Sequence, residues 1–522
     1  MLRTDNLETA IQRNRDELFR FGTALLFIVG IMLFTIVRTD GGVDGILLVT
    51  AAMIGGYMAM NIGANDVANN VGPAVGSHAI TLTGAILIAA FFEAGGALIA
   101  GGDVVGTIKS GIIDPDLVAD RDTFIWLMIA ALLAAAVWLN FATAVGAPVS
   151  TTHSIVGGVL GAGIAAAGWN IADWSVVGKI AVSWVISPVM GGLIAASFLY
   201  IIKRTITYKS DVLAAAKRMV PVLVATMAWA FATYLMLKGI KKIVSVSFPV
   251  AVLIGIAVAG SVYLIMRPYI ERMTTRLENH KASVNDLFTV PLIFAAALLS
   301  FAHGANDVAN AVGPLAGINE AIVGSGGVIV NAAIPLWVMA VGAIGISLGL
   351  ALYGPKLIRT VGTEITELDK MRAFCIAMAA AITVIIASQL GLPVSSTHIA
   401  VGGVFGVGFL REYIKSSYAR MLDEIREHHA DHDPEEIEAF LVRFEAADVS
   451  MKGEMLREMK AQAAEDRLLG KRERKRLGRV HRVELVKRNL LLRIAGAWVI
   501  TVPIAAILAA AFFFMIRGML LP

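Results

Sequence analysis

The sequence predicts an all-α polytopic membrane protein. Its core reads as an inverted-topology repeat with about 12–13 transmembrane segments, including broken helices and re-entrant hairpins. Three observations predict this. The 522 residues are 57% hydrophobic and only 16% charged, with a mean hydropathy of +0.74. Many uncharged runs reach the roughly 20 residues that cross a bilayer. The chain also writes one string twice, as Gly63-Ala64-Asn65-Asp66-Val67-Ala68-Asn69 and as Gly304-Ala305-Asn306-Asp307-Val308-Ala309-Asn310. A second string, Pro148-Val149-Ser150-Thr151-Thr152-His153, returns as Pro393-Val394-Ser395-Ser396-Thr397-His398, in the same order and at nearly the same spacing.

Thirteen apolar segments follow along the chain, near 21–37, 45–62, 79–101, 123–145, 149–168, 175–202, 219–237, 246–266, 287–303, 326–354, 372–391, 394–410 and 490–515. The fifty glycines suit helices packing closely in lipid, where small residues let backbones approach. The loops after the sixth, eighth, tenth and twelfth segments are basic, carrying among others Lys203, Arg204, Arg267, Arg272, Lys356 and Arg359. These are even-numbered segments, so one face collects the positive loops and is predicted cytoplasmic. The loop after the third segment is acidic, with Asp103, Asp114, Asp116, Asp120 and Asp122, and fits the outside. Lys238, Lys241 and Lys242 run against this pattern. The N-terminus is predicted inside and the C-terminus outside, in the cytoplasmic membrane, with no cleavable signal peptide. The pI near 9.0 is read as loop charge, with no nucleic acid as partner. Cys375 is the single cysteine, which excludes an intramolecular disulfide.

The first motif begins after the second segment and its copy after the ninth. Seven crossings separate them, so the copies face opposite sides. That is the plan of many secondary transporters, whose sites lie near the midplane where repeats meet. The division is 1–44, an N-terminal segment and first span; 45–202, the first repeat; 203–286, connecting spans and basic loops; 287–410, the first part of the second repeat; 411–488, a charged insert; and 489–522, the last span. The insert holds 35 of the chain's 84 charged residues. Asp433-Pro434-Glu435-Glu436 reads as a helix start, and the insert is predicted to be a cytoplasmic helical hairpin or small bundle. His428, His429 and His432 read as a solvated helix end in preference to a metal site. Lys471-Arg472-Glu473-Arg474-Lys475-Arg476 reads as a juxtamembrane positive cluster in preference to a lipid-headgroup site.

Asp66 and Asp307 end apolar runs. A carboxylate at membrane depth costs about 2.5–3.5 kcal/mol on the insertion scale, so such an acid is a functional candidate by default. The flanking Asn65, Asn69, Asn306 and Asn310 offer oxygen ligands, and a helix interrupted at Gly63 and Gly304 would free carbonyls, a set suited to a hard cation such as Na+. Glu93, in the third segment, is a third intramembrane acid without a duplicate. In the second motif, Ser150, Thr151, Thr152, Ser395, Ser396 and Thr397 follow prolines at helix starts. Hydroxyls and free N–H groups there make an anion cradle. The motifs contain no Lys or Arg, so an anion placed among these acids must be accompanied by bound cations or protons. His153 and His398 read mainly as structural. His78 and His303 have no symmetric mates and carry less weight.

These paired motifs resemble those of the inorganic phosphate transporter (PiT) family of cation-coupled symporters, over roughly 45–412 and 490–515. The resemblance implies an inverted-repeat carrier of inorganic phosphate, dimeric, without a cofactor and driven by co-transported Na+ or H+. It implies a cation site at Asn65, Asp66, Asn69, Asn306, Asp307, Asn310 and Glu93, and phosphate-binding tips at the Ser and Thr residues of the second motif. Animal relatives carry a further acid before the second hydroxyl motif, where this chain reads Cys375-Ile376-Ala377-Met378, so their sodium stoichiometry does not transfer. A sulfate permease is the alternative within the family, and an enzyme acting on a phosphorylated lipid is the alternative outside it. No nucleotide loop, metal cluster or nucleophile elbow favours the enzyme.

Overall fold

A computed structural model describes residues 2–39, 41–144, 149–239, 246–324, 333–364, 368–428, 443 and 488–520. Pro148, Lys241, Lys242 and residues 429–442 and 444–487 of the insert, including its proposed helix start and basic cluster, lie outside the described residues. The helices are α1 (Leu2–Ile36), α2 (Gly42–Asn65), α3 (Val67–Gly76), α4 (Leu82–Ala100), α5 (Gly102–Gly106), α6 (Arg121–Ala144), α7 (Thr151–Ala167), α8 (Trp174–Ile202), α9 (Val212–Lys238), α10 (Phe248–Thr274), α11 (Lys281–Leu287), α12 (Thr289–Val323), α13 (Leu336–Glu364), α14 (Lys370–Gln389), α15 (Ser396–His428) and α16 (Arg488–Leu520). No strand occurs among the described residues, and eleven of their helices are long and apolar enough to span a membrane. Polar side chains start many of them. Thr81, Asp173, Asp211 and Asp369 cap α4, α8, α9 and α14 by accepting backbone N–H bonds in the first turn.

Thirteen apolar segments reduce to eleven candidate spans because the hydroxyl motifs form hairpins. α7 has 17 residues, and it returns to the face where α6 begins. Ile113 bridges Ala172, Asp114 N donates to Ile171 O at 2.7 Å, and Asp173 N donates to Ile112 O at 3.0 Å. Arg121, at the start of α6, holds Asp44 at the start of α2 through two bonds of 2.7 and 2.6 Å. α2 and α6 therefore start on one face. In the second half, Lys370 holds Asp286 at 2.8 Å and Met371 N donates to Asn285 Oδ1 at 3.1 Å. These bonds tie the start of α14 to the start of α12, and α14 pairs with α15 as α6 pairs with α7.

Exchange of the two halves preserves the packing. α2 lies along α13 as α12 lies along α4; α7 lies along α16 as α15 lies along α8. Glycine sets the closest contacts. A Cβ on Gly63 would collide with the Ile346 carbonyl, and one on Gly349 with the Met60 carbonyl. In the other pair, a Cβ on Gly304 would collide with the Glu93 carbonyl, and one on Gly96 with that of Phe301. Without a hydrophobic force between helices in lipid, backbone approach of this kind supplies the packing.

This corrects the expected role of Gly63 and Gly304. α12 runs unbroken through Gly304 to Val323. The one irregularity in the first copy falls at Asp66, which keeps helical angles (φ −84°, ψ −36°) and donates its N–H to Ile62 O at 2.9 Å. The glycines are contact points, not breaks. Lys238, which offended the charge pattern, pairs with Asp103 of the acidic loop. Buried residues cover nearly every position of α12 from Pro291 to Ala321, whereas α10 shows Leu253, Ile256, Leu264 and Ile265 on the outside. α12 is thus the central helix, and it carries the second Asp motif.

Candidate functional site

The duplicated motifs converge. Asp66 (4% exposed) and Asp307 (1%) are buried, and with His303 they bring one ligand atom each within 4.8 Å of one another. The hydroxyl tips close over them. Thr151 Oγ1 donates to Asp66 Oδ2 at 2.6 Å and Thr397 Oγ1 to Asp66 Oδ1 at 3.2 Å. Ser396 Oγ donates to Asp307 Oδ2 at 3.3 Å, the mirror image of the Thr151 bond. Asn69 Nδ2 donates to Thr397 Oγ1 at 2.9 Å, and its mate Asn310 Nδ2 donates to Thr152 Oγ1 at 3.1 Å. Each asparagine therefore reaches the hairpin of the opposite half. Thr152 Oγ1 also donates to Val394 O at 3.1 Å and links the two tips.

Ser150 and Ser395 begin α7 and α15. Their Oγ atoms accept from His153 N and His398 N at 3.3 Å each. A capped helix start aims its free N–H groups and positive dipole end at the space beyond the cap, and two such starts face the aspartates.

Asn65 and Asn306 are tied to the hairpins. Asn306 Nδ2 donates to Ser388 Oγ and Leu392 O at 3.0 and 3.1 Å, and its Oδ1 accepts from Val394 N at 3.3 Å. It is a strut for the second hairpin. Asn65 Nδ2 donates to Asn61 O at 3.1 Å and its Oδ1 accepts from Thr143 Oγ1 at 3.4 Å. Each carboxamide meets a hydroxyl on the first leg of its hairpin, Thr143 or Ser388, and Asn65 also bonds the carbonyl four residues before it.

His303, given little weight in the sequence, lies at the centre. Its Nδ1 is 2.7 Å from Glu93 Oε2 and its Nε2 is 2.9 Å from Asp307 Oδ2, all fully or almost fully buried. Asn70 Nδ2 donates to Glu93 Oε1 at 2.8 Å. The signal was present: His303 precedes Asp307 by four positions, so a helix puts both on one face. Lack of a duplicate hid it, for Ile62 occupies the equivalent place. The packing also identifies the counterpart of Glu93. Gly63 meets Ile346 as Gly304 meets Glu93, so the acid is single.

Two carboxylates this close repel unless a cation or proton lies between them. The donor set fits a hard cation: Asp307 Oδ1 and Asn310 Oδ1 are buried oxygens with no hydrogen-bond partner in the structure, and oxygen ligands suit such ions. The hydroxyls and the two helix starts are the donors of the cluster.

An all-helical protein with eleven apolar spans and a buried, two-sided polar centre is a multi-pass membrane transporter in class. Residues 62–509 match the phosphate transporter family. The chain belongs to that family, which is one of transporters and not of enzymes. A Helicobacter pylori protein assigned as a phosphate permease is 52% identical over 518 residues, covering 97% of this chain and 96% of its own. A Pyrococcus abyssi protein with the same assignment is 40% identical over 366 residues, covering 70% and 89%. A solved structure titled as the sodium-dependent phosphate transporter is 31% identical, with a TM-score of 0.73, over 91% of this chain and all of that one.

Proposed function

We propose that this protein imports inorganic phosphate across the cytoplasmic membrane by symport with Na+ or H+. One observation carries the reading: two buried aspartates lie directly beneath paired hydroxyl tips, with no Lys or Arg among the motif residues that surround them. In this reading Asp66, Asp307, Asn310, Asn69 and Glu93 hold the coupling cations, with Asn65 and Asn306 as struts beside them. Ser150, Thr151, Thr152, Ser395, Ser396 and Thr397 take the phosphate oxygens. Cation and anion neutralise one another, which lets both leave water. The cation is a co-substrate, and no cofactor is needed. The duplicated halves act as an inverted-topology repeat, a reading supported by the exchange of their packing partners. The charge of the basic loops supports a cytoplasmic N-terminus and a cytoplasmic 411–488 insert, and in this reading the working unit is a homodimer.

Phosphate is favoured over sulfate because it keeps a proton at neutral pH and can donate to a carboxylate. The test is uptake of labelled phosphate by proteoliposomes under an imposed Na+ gradient and then a pH gradient, with sulfate as competitor. Accumulation that follows one of the two gradients and resists sulfate is expected. Flux indifferent to both gradients would remove the symport reading. Light scattering of the detergent-solubilised protein checks the dimer.

A further inference from the structure

One further cluster joins the halves. His153, on α7, stacks on Trp184 of α8 with ring centroids 3.6 Å apart and planes 25° apart. His398, on α15, stacks on Trp498 of α16 at 3.4 Å and 22°. The two imidazoles meet at 4.6 Å and 53°. Four rings thus form one column, Trp184–His153–His398–Trp498, with the His–His contact on the seam between the halves. Trp184 Nε1 also donates to Pro393 O of the opposite hairpin at 3.0 Å.

We infer that His153 and His398 are positioning residues whose stacked rings hold the two hydroxyl tips at the spacing a bound oxyanion requires. The inference rests on the phosphate reading above. Each histidine stands three residues after its capping serine, so the hydroxyl residues 151–152 and 396–397 are pinned between a cap and a ring. The rings are 4% and 1% exposed. His153 Nδ1 and both ring nitrogens of His398 have no hydrogen-bond partner in the structure. The ring faces therefore hold these side chains, through the many close van der Waals contacts that stacked rings make. The column also couples the tips: a shift of either hairpin slides one imidazole off the other.

The experiment uses the full chain in proteoliposomes, with His153→Ala, His398→Ala, His153→Phe and His398→Phe. Each Ala variant should raise the half-saturating phosphate concentration roughly tenfold, with the maximal rate changed by less than about twofold. Each Phe variant keeps the stack and should stay within about twofold of wild type. An unchanged half-saturation in the Ala variants overturns the inference, as does a Phe variant as impaired as Ala. A second readout needs no phosphate. With 5-fluorotryptophan in place of tryptophan, the Trp498 fluorine resonance should shift when His153, two rings away, is cut to Ala. A stationary resonance shows that the rings are not one column. Wild-type protein that fails to accumulate phosphate while this shift appears would sink the transport reading and leave the column standing.

Discussion

The two halves share a cradle but not a charge. Around the second motif, Glu93 from α4 of the first half, His303 and Asp307 form a buried chain of contacts. The equivalent places around the first motif are Ile346 from α13 of the second half, Ile62 and Asp66, and both isoleucines are fully buried. The halves also differ in access. Asn306 and Ser388 are bonded and buried, at 0% and 3% exposed, whereas their mates Asn65 and Thr143 stand partly open to the surroundings. Duplication has kept the hydroxyl–aspartate bonds. It has let the ionisable support diverge. One aspartate leans on a histidine, while the other leans on hydroxyls from both tips.

The shared part should respond equally and the divergent part unequally. The largest effect is expected at the shared acids. Asp66→Asn and Asp307→Asn should each lower accumulation by about a hundredfold or more, since either change removes a charge that balances the cation. Uptake by reconstituted protein, checked for insertion, measures this, and wild-type uptake in one of them would break the equivalence. Next is the divergent pair. His303→Ile or Glu93→Ile alone leaves a buried partner uncompensated and should cost about 3–5 kcal/mol of stability. The double variant copies the surroundings of the first motif and should recover much of that, without recovering transport. Thermal unfolding of all four proteins reads the cycle, and additive losses would show that the two groups do not interact.

Access gives a smaller contrast. Thr143→Cys should react with a bulky water-soluble thiol reagent about ten times faster than Ser388→Cys, because only the former is exposed; Cys375 is buried and stays silent. Equal rates would place both sites in one environment. The smallest effect belongs to the caps. Ser150→Ala and Ser395→Ala should each cost about 1 kcal/mol and raise half-saturation by a similar small factor. A large disparity between them would mean that one hairpin start alone meets the substrate.

Much of this was legible in the letters. The repeated strings singled out Asp66, Asp307 and the hydroxyls of the second motif, while the contacts of Thr151 with Asp66 and of Ser396 with Asp307 emerge only from the structure. The hairpins were legible only in part. A 17-residue apolar helix such as α7 reads like a short span until its end is found beside its partner's start. Glycine misled most. Gly63 and Gly304 look like helix breakers in a string, and only the carbonyls of Ile346 and Glu93, nearly 300 and 211 residues away in sequence, reveal why no side chain is allowed there. His303 was hidden by the same symmetry that exposed the rest.

The glycine contacts carry a mechanical consequence. Each Asp-bearing helix is welded to a helix of the other half, α2 to α13 and α12 to α4, while the hairpins are bound crosswise to α8 and α16. Severing the chain between α10 and α11 would therefore give fragments that neither fold nor work singly, but that assemble when produced together. The amino-terminal portion and the carboxy-terminal one are therefore not separate bodies: α2, α4, α12 and α13 interlock across both, and each hairpin is bound to the last long helix of the other half.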